Sequence, residues 1–396
     1  MPVPRSLPEP ADSSLRRARR LLTEYPLVDG HNDLAWALRE TGLDLAGADL
    51  ATRGTRTQTD LARLRDGGVG AQFWSVYVPS TLPDAEAVRQ TLEQIDLVSE
   101  MVCRFPDHLA LAGTAEEVHS VFSSGRIASL LGAEGGHCIG GSLAILRVLY
   151  RLGVRYLTLT HNHSTTWADS ATDEPVSGGL NAFGRSVVRE MNRLGMLVDL
   201  SHVSPATMHA ALDVSRAPVI MSHSSCRALV DHPRNVGDDV LRRLPRNGGV
   251  VMICLVPDFV SNECRTWTEG VRRSMRARGL DDRDLAALDA ASAQHAVHDP
   301  KPRATVAQVA DHIEHARDVA GIDHLGIGGD YDGCPDFPVG LEDVSGYPLI
   351  FAELLNRGWA DSALARLAGG NVLRALHGAE QVAARFDSGV ARDCSQ

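Results

Sequence analysis

The chain has 396 residues, 44% of them hydrophobic, and a formal net charge of −11 at neutral pH. That length supports a large core, as one big α/β domain or two smaller ones. The acidic balance, with no basic-aromatic stretch against it, argues against a nucleic-acid binder, and no run is long and apolar enough to span a membrane.

The N-terminus, Met1-Pro2-Val3-Pro4-Arg5, lacks the apolar centre of a signal peptide. The arginine pairs Arg16-Arg17 and Arg19-Arg20 lead into Leu21-Leu22-Thr23-Glu24 and read as the wet face of a helix capped near Ser13 or Ser14. Residues 1–26 are therefore expected to form a tail and a helix. The seven cysteines (Cys103, Cys138, Cys226, Cys254, Cys264, Cys334 and Cys394) contain no C-x-x-C pair. Scattered and odd in number, they suggest reduced thiols and a cytoplasmic protein, with Cys138 and Cys226 as small buried filler.

From Leu27 the chain alternates short β-type runs with helical patterns. Leu27-Val28 opens a strand that runs into Asp29-Gly30-His31-Asn32-Asp33. In extended backbone His31 and Asp33 point to the same side, and an imidazole beside a carboxylate suits a divalent ion. Gly70–Val76 is the next strand, followed by a helix from Ala85 to Val102, and Ile127–Glu134 is the third. A helix around Leu143 to Leu152 leads to Tyr156–His161. Met196–His202, Pro218–His223, Gly249–Cys254 and His324–Asp330 complete about eight buried strands. Strands of this kind separated by helices specify a parallel sheet, and with neither a G-x-G-x-x-G after the first strand nor a P-loop, a (β/α)8 TIM barrel is expected over residues 27–380. Residues 255–303 read as a charged, mostly helical excursion after the seventh strand that covers the pocket, and 381–396 as a C-terminal tail.

A barrel gathers its active site at the C-terminal ends of its strands. Those ends deliver His31 with Asp33, then Glu134, His161, His202, His223 and Asp330. Each has an ordinary explanation alone, as a turn cap or a satisfied near-core histidine. Together they suggest one pocket with ligands for two metals, because so many ionisable groups at one end of a core are costly without a partner. Lys301 is the one lysine in the sequence. It lies in the Pro-flanked loop His298–Pro302, poorly placed to bridge metals as a carbamate, which leaves Glu134 as the natural bridging carboxylate.

The segments Asp29–Asp33, Glu134–His137, Leu159–Asn162, Asp199–Val203, Ser222–Ser225, Arg234–Val236 and Gly326–Gly333 resemble, in order, those of the membrane (renal) dipeptidase family, binuclear zinc peptidases of the amidohydrolase superfamily. Gly369–Arg374 is similar to that family's C-terminal helix start. The resemblance implies two zinc ions, one held by His31 and Asp33, the other by His202 and His223, with Glu134 bridging and a shared water as nucleophile. It further implies that His161 polarises the scissile carbonyl, Asp330 moves the proton and Arg234 clamps the carboxylate of a dipeptide, L-Xaa-D-Xaa substrates included. Family members are commonly dimers, which implies a homodimer. Neither a lipid-anchor signal nor the disulfides of animal members is evident, so no membrane partner is expected. Asn162-His163-Ser164 fits a glycosylation pattern by coincidence. Another binuclear hydrolase (lactonase, phosphotriesterase or deaminase) would keep the barrel and metals without needing Arg234. A non-catalytic binding module on the same barrel would be expected to lose Asp330 or a ligand.

Overall fold

The computed structural model describes residues 11–42, 50–51, 53–54 and 56–393. Nine parallel strands form one sheet: β1 (Leu27–Asn32), β2 (Val69–Ser75), β3 (Leu109–Leu111), β4 (Ile127–Glu134), β5 (Val154–Thr158), β6 (Leu197–Asp199), β7 (Val219–Met221), β8 (Val250–Cys254) and β9 (Leu325–Gly328). The sheet closes where β2 pairs with β4, in register from Ala71 opposite Ala128 to Ser75 opposite Gly132. Eight strands make the (β/α)8 barrel, and β3 is a ninth, attached to the start of β4. Sequence patterning misses β3 because three residues grading from buried Leu109 to exposed Leu111 carry no periodic signal.

Strand positions are buried almost throughout, as expected when helices cover the outside and side chains fill the inside. Successive residues fall into two separate apolar clusters. Val28, Phe73, Leu130, Tyr156, Ile220 and Met252 belong to one, and Leu27, Trp74, Leu131, Leu157, Val219 and Val251 to the other. This is the two-residue alternation of a pleated strand.

Several boundaries differ from expectation. β5, β6, β7 and β9 end two or three residues before His161, His202, His223 and Asp330. His202 and Asp330 have φ of 64°, which extended backbone does not allow. The N-terminal helix spans Ala11–Glu24, so Ser13 and Ser14 lie inside its first turn rather than at its cap. The Ser14 hydroxyl instead donates to Asn356 Oδ1 at 2.7 Å. At the other end, the helix Asn371–Asp393 runs across the boundary expected at 380. The excursion after β8 is helical as expected, with Pro257–Val260, Asn262–Ala277 and Leu285–Ala296. It carries a small core of Trp267, Val271, Met275 and Leu288. Among the described residues no helix is long and apolar enough to cross a membrane.

The carbonyl of Ser222, just past β7, is crowded by two glycines from β1 and β9, strands that pair with each other and not with β7. A Cβ at Gly30 would stand 2.4 Å from that oxygen, and one at Gly328 only 1.8 Å away. This contact draws the ends of β1, β7 and β9 together, and with them His31, His223 and Asp330. Gly328→Ala is therefore expected to destabilise the protein by about 3 kcal/mol or more, since backbone, not a flexible side chain, must move. Chemical denaturation of the variant beside wild type measures the loss.

Candidate metal centre and active site

His31 lies in β1, whereas Asp33 follows its end with φ of −99°, at the position before the helix Leu34–Thr41 and with no capping bond from its side chain. Strand geometry thus stops at Asn32, yet His31 Nε2 is still 3.2 Å from Asp33 Oδ2. On the far side of the ring, His31 Nδ1 meets the Tyr156 hydroxyl at 2.8 Å, and that hydroxyl donates to the Gly30 carbonyl at 3.2 Å. With its proton committed there, the tyrosine oxygen accepts from Nδ1–H, and the Nε2 lone pair faces the bowl.

His223 is set the same way. Its Nδ1 is 2.8 Å from the Ser222 hydroxyl, which donates to Asp199 Oδ2 at 2.7 Å. Asp199 is held in turn by Thr158 Oγ1 and by the amides of Ser201 and Ser222. His202 relies on its backbone instead. Its left-handed conformation, costing roughly 1–2 kcal/mol for a non-glycine residue, is tied by its carbonyl, which accepts from Ala171 N–H, Ser170 Oγ and Thr160 Oγ1.

Glu134, at the end of β4, joins these groups. Its Oε1 lies 3.5 Å from His31 Nε2, 3.0 Å from His202 Nε2 and 3.3 Å from His223 Nε2. Two clusters that could each hold a cation result: His31, Asp33 and Glu134, and Glu134, His202 and His223. His31 and His223 also converge with Asp330. Four ligands about 2.1 Å from a tetrahedral zinc ion stand about 3.4 Å from one another, so these separations fit. His31 Nε2 and Asp33 Oδ1 are buried without a hydrogen-bond partner among the described residues, which an ion would remedy.

Burial dominates the electrostatics. It holds His161, His202 and His223 well below the usual imidazole range, so these rings are neutral and able to bind metal. Burial opposes charge on His31 too, but Tyr156, Glu134 and Asp33 outweigh it and raise that histidine. Burial lifts Glu134, and it lifts Asp330 to about 8 with Asp33 and Glu134 adding repulsion. Divalent cations would oppose both carboxyl shifts.

Around this centre stand the remaining expected residues. His161 places its ring centroid 4.3 Å from that of His202 and 4.8 Å from that of Tyr77, and its Nδ1 has no partner among the described residues. Arg234 is buried after β7, donating from Nη2 to the His223 carbonyl at 3.4 Å, with its carbon 5.2 Å from the centre of the Phe259 ring. Its Nη1 has no partner among the described residues. Asn235 fixes that loop by donating to the carbonyls of Val230 and Phe259, both at 2.9 Å. Asp330 meets the Cys254 thiol, which lies 3.8 Å from its Oδ2. All eight residues singled out from the sequence thus come to one bowl. Lys301 pairs instead with Asp258 at 3.2 Å and Asp336 at 3.3 Å, and Cys226 is buried with its thiol on the His312 carbonyl. Sequence reasoning missed Tyr156, Ser222 and Asp199 as supports. Tyr156 and Ser222 sit within strand-like runs with no polar pattern of their own. Asp199 had a signal, a buried-strand carboxylate three residues before a histidine.

The sequence model of the family described as membrane dipeptidase (peptidase family M19) matches residues 15–389. Dipeptidase 3 of Mus musculus is 43% identical over 378 residues, covering 94% of this chain and 68% of that protein. Dipeptidase verJ of Clonostachys rogersoniana is 42% identical over 392 residues, covering 95% of this chain and 89% of that one. Of solved structures, that of dipeptidase AC, a metallopeptidase of family M19, superposes with a TM-score of 0.74 at 26% identity, covering 90% of this chain and 98% of the other.

The support beneath His31 can be tested directly. Tyr156→Phe keeps the packing but removes the acceptor for Nδ1–H. It is expected to weaken one metal site by roughly 10-fold or more while leaving the other unchanged. Competition with a chromophoric chelator measures both affinities.

Proposed function

Because this chain belongs to the membrane dipeptidase family and is a metal-dependent dipeptidase, we propose that it binds two zinc ions and hydrolyses free dipeptides, L-Xaa-D-Xaa substrates among them. The observation that carries the reading is the single oxygen of Glu134 shared by three buried imidazoles, with Asp33 beside one of them. His31 and Asp33 would hold one ion, His202 and His223 the other, with Glu134 between. The donor set, three imidazoles and two carboxylates without a thiolate, suits zinc. When bound, the pair supplies Lewis acidity and makes a water acidic enough to attack near neutral pH.

The chain's own side chains do the rest. Arg234 offers a buried guanidinium with a free N–H edge, suited to the planar carboxylate of a C-terminal residue. Burial keeps His161 neutral, so it has one N–H to donate to the oxyanion that forms on the scissile carbonyl. Asp330 takes the proton from the attacking water and delivers it to the departing amine. In this reading a single residue spans the distance from the cut to Arg234. That is the length rule of a dipeptidase. The preference for a D-residue on the carboxyl side rests on the family resemblance. A reducing, cytoplasmic setting belongs to the same proposal, resting on the free thiols of the six described cysteines.

The test is a panel of L,L and L,D dipeptides with the matching tripeptides and dipeptide amides, using zinc-loaded wild type and Arg234→Met. Wild type is expected to cleave both dipeptide classes and to act poorly on tripeptides and amides. Arg234→Met should lose roughly 10²-fold in kcat/KM on dipeptides, about 3 kcal/mol. Efficient tripeptide hydrolysis by wild type, or an unchanged kcat/KM in the variant, would contradict the clamp.

A further inference from the structure

Asp330 stands in a turn that the backbone resists. Asp330 and Asp332 have φ of 64° and 65°, two of the three left-handed non-glycine residues among those described. The turn closes on itself through Gly333 N–H, which donates to the Asp330 carbonyl at 3.2 Å. On its near side it is stitched to the end of β1, where Asp330 N–H donates to the His31 carbonyl and Asp33 N–H to the Tyr331 carbonyl. Its far side, residues 332–334, has no strand beside it among the described residues.

That side is gripped by Gln58. Gln58 N–H donates to Asp332 Oδ1 at 2.7 Å, and Asp332 N–H donates back to Gln58 Oε1 at 2.6 Å. Gln58 Nε2 donates to the Cys334 carbonyl at 2.9 Å, and Val344 N–H donates to the Gln58 carbonyl at 3.2 Å. Every backbone and side-chain polar group of this residue is therefore spent on residues 332–344. The bracket is itself anchored. Its neighbour Thr59 accepts from Asn32 Nδ2 at 2.8 Å, and Asp60 caps the helix Leu61–Asp66.

We propose that Gln58 is a positioning residue for the hydrolysis, holding Asp332 and Cys334 so that the turn keeps Asp330 left-handed and its carboxylate aimed into the bowl. The inference rests on the role proposed above for Asp330. Without the side-chain bracket, residues 332–334 relax towards ordinary backbone angles and the carboxylate moves off line, a displacement to which proton transfer is sensitive. The polar groups of Gln58 go to Asp332, Cys334 and Val344 and to none of the eight residues of the bowl, so its effect falls on turnover and not on binding.

The experiment measures kcat, KM, bound zinc and melting temperature for Gln58→Met, Gln58→Glu, Asp330→Asn and the double variant Gln58→Met/Asp330→Asn. Gln58→Met should lower kcat by roughly 10- to 30-fold with KM within about twofold of wild type and zinc content unchanged. Gln58→Glu, which keeps an acceptor for Asp332 N–H, should have a kcat between those of wild type and Gln58→Met. In the Asp330→Asn background Gln58→Met should cost no further kcat, because its effect runs through Asp330. A Gln58→Met protein that melts lower but turns over like wild type would overturn the proposal. So would a loss in the double variant equal to the product of the single losses. Wild-type kcat in Asp330→Asn would remove the role of Asp330, and the bracket with it. A depressed Asp330→Asn beside fully active Gln58 variants would overturn the bracket alone.

Discussion

Three imidazole nitrogens within 3.5 Å of one carboxylate oxygen, all on buried residues, are the constraint on which this structure turns. The rings come from the ends of β1, β6 and β7 and the carboxylate from β4, so their meeting requires a closed barrel with converging strand ends. Convergence depends in turn on glycine at positions 30 and 328, where the Ser222 carbonyl occupies the space of a side chain. Burying so many ionisable groups together is costly for the protein alone. Their ligand edges are spaced to accept cations.

Around the centre, polar supports decide which face each ring presents. Tyr156 and the Ser222–Asp199 pair take the Nδ1 protons of His31 and His223. Left-handed backbone turns His202 and Asp330 into the bowl where a continuing strand would carry them past it. The excursion after β8 shapes the rim. Its Phe259 lies against Arg234, Arg283 pairs with Asp173 at 3.0 Å, and Lys301 ties the end of the excursion to its start at Asp258 and to Asp336 in the loop after β9. The chain's single lysine thus serves the frame of the site and not its chemistry.

Much of this was legible in the sequence for a physical reason. Buried parallel strands are short apolar runs, and a barrel places whatever follows each run at one end. Strand-end His, Asp and Glu therefore point to the bowl from the sequence alone, and the order of the segments points to the family. The exact ends were not legible. His161, His202, His223 and Asp330 lie beyond their strands because their backbones turn, and only the fold reveals φ of 64° at a histidine or an aspartate. β3 was too short to show a period. Ser14 looked like a cap because it is a serine near a helix start, whereas its hydroxyl is used in a tertiary contact. Gln58 carries no motif, and its partners lie 274 and 276 residues away. Long-range hydrogen bonds of that kind leave no local trace.

The most direct test of the central claim, that Glu134 joins two metal sites, is elemental analysis of gently purified wild type beside Glu134→Ala. The shared carboxylate predicts close to two divalent ions per wild-type chain and a loss from both sites in the variant, to below one in total. A wild-type protein fully active with one ion or fewer, or a Glu134→Ala protein that still holds two, would contradict it.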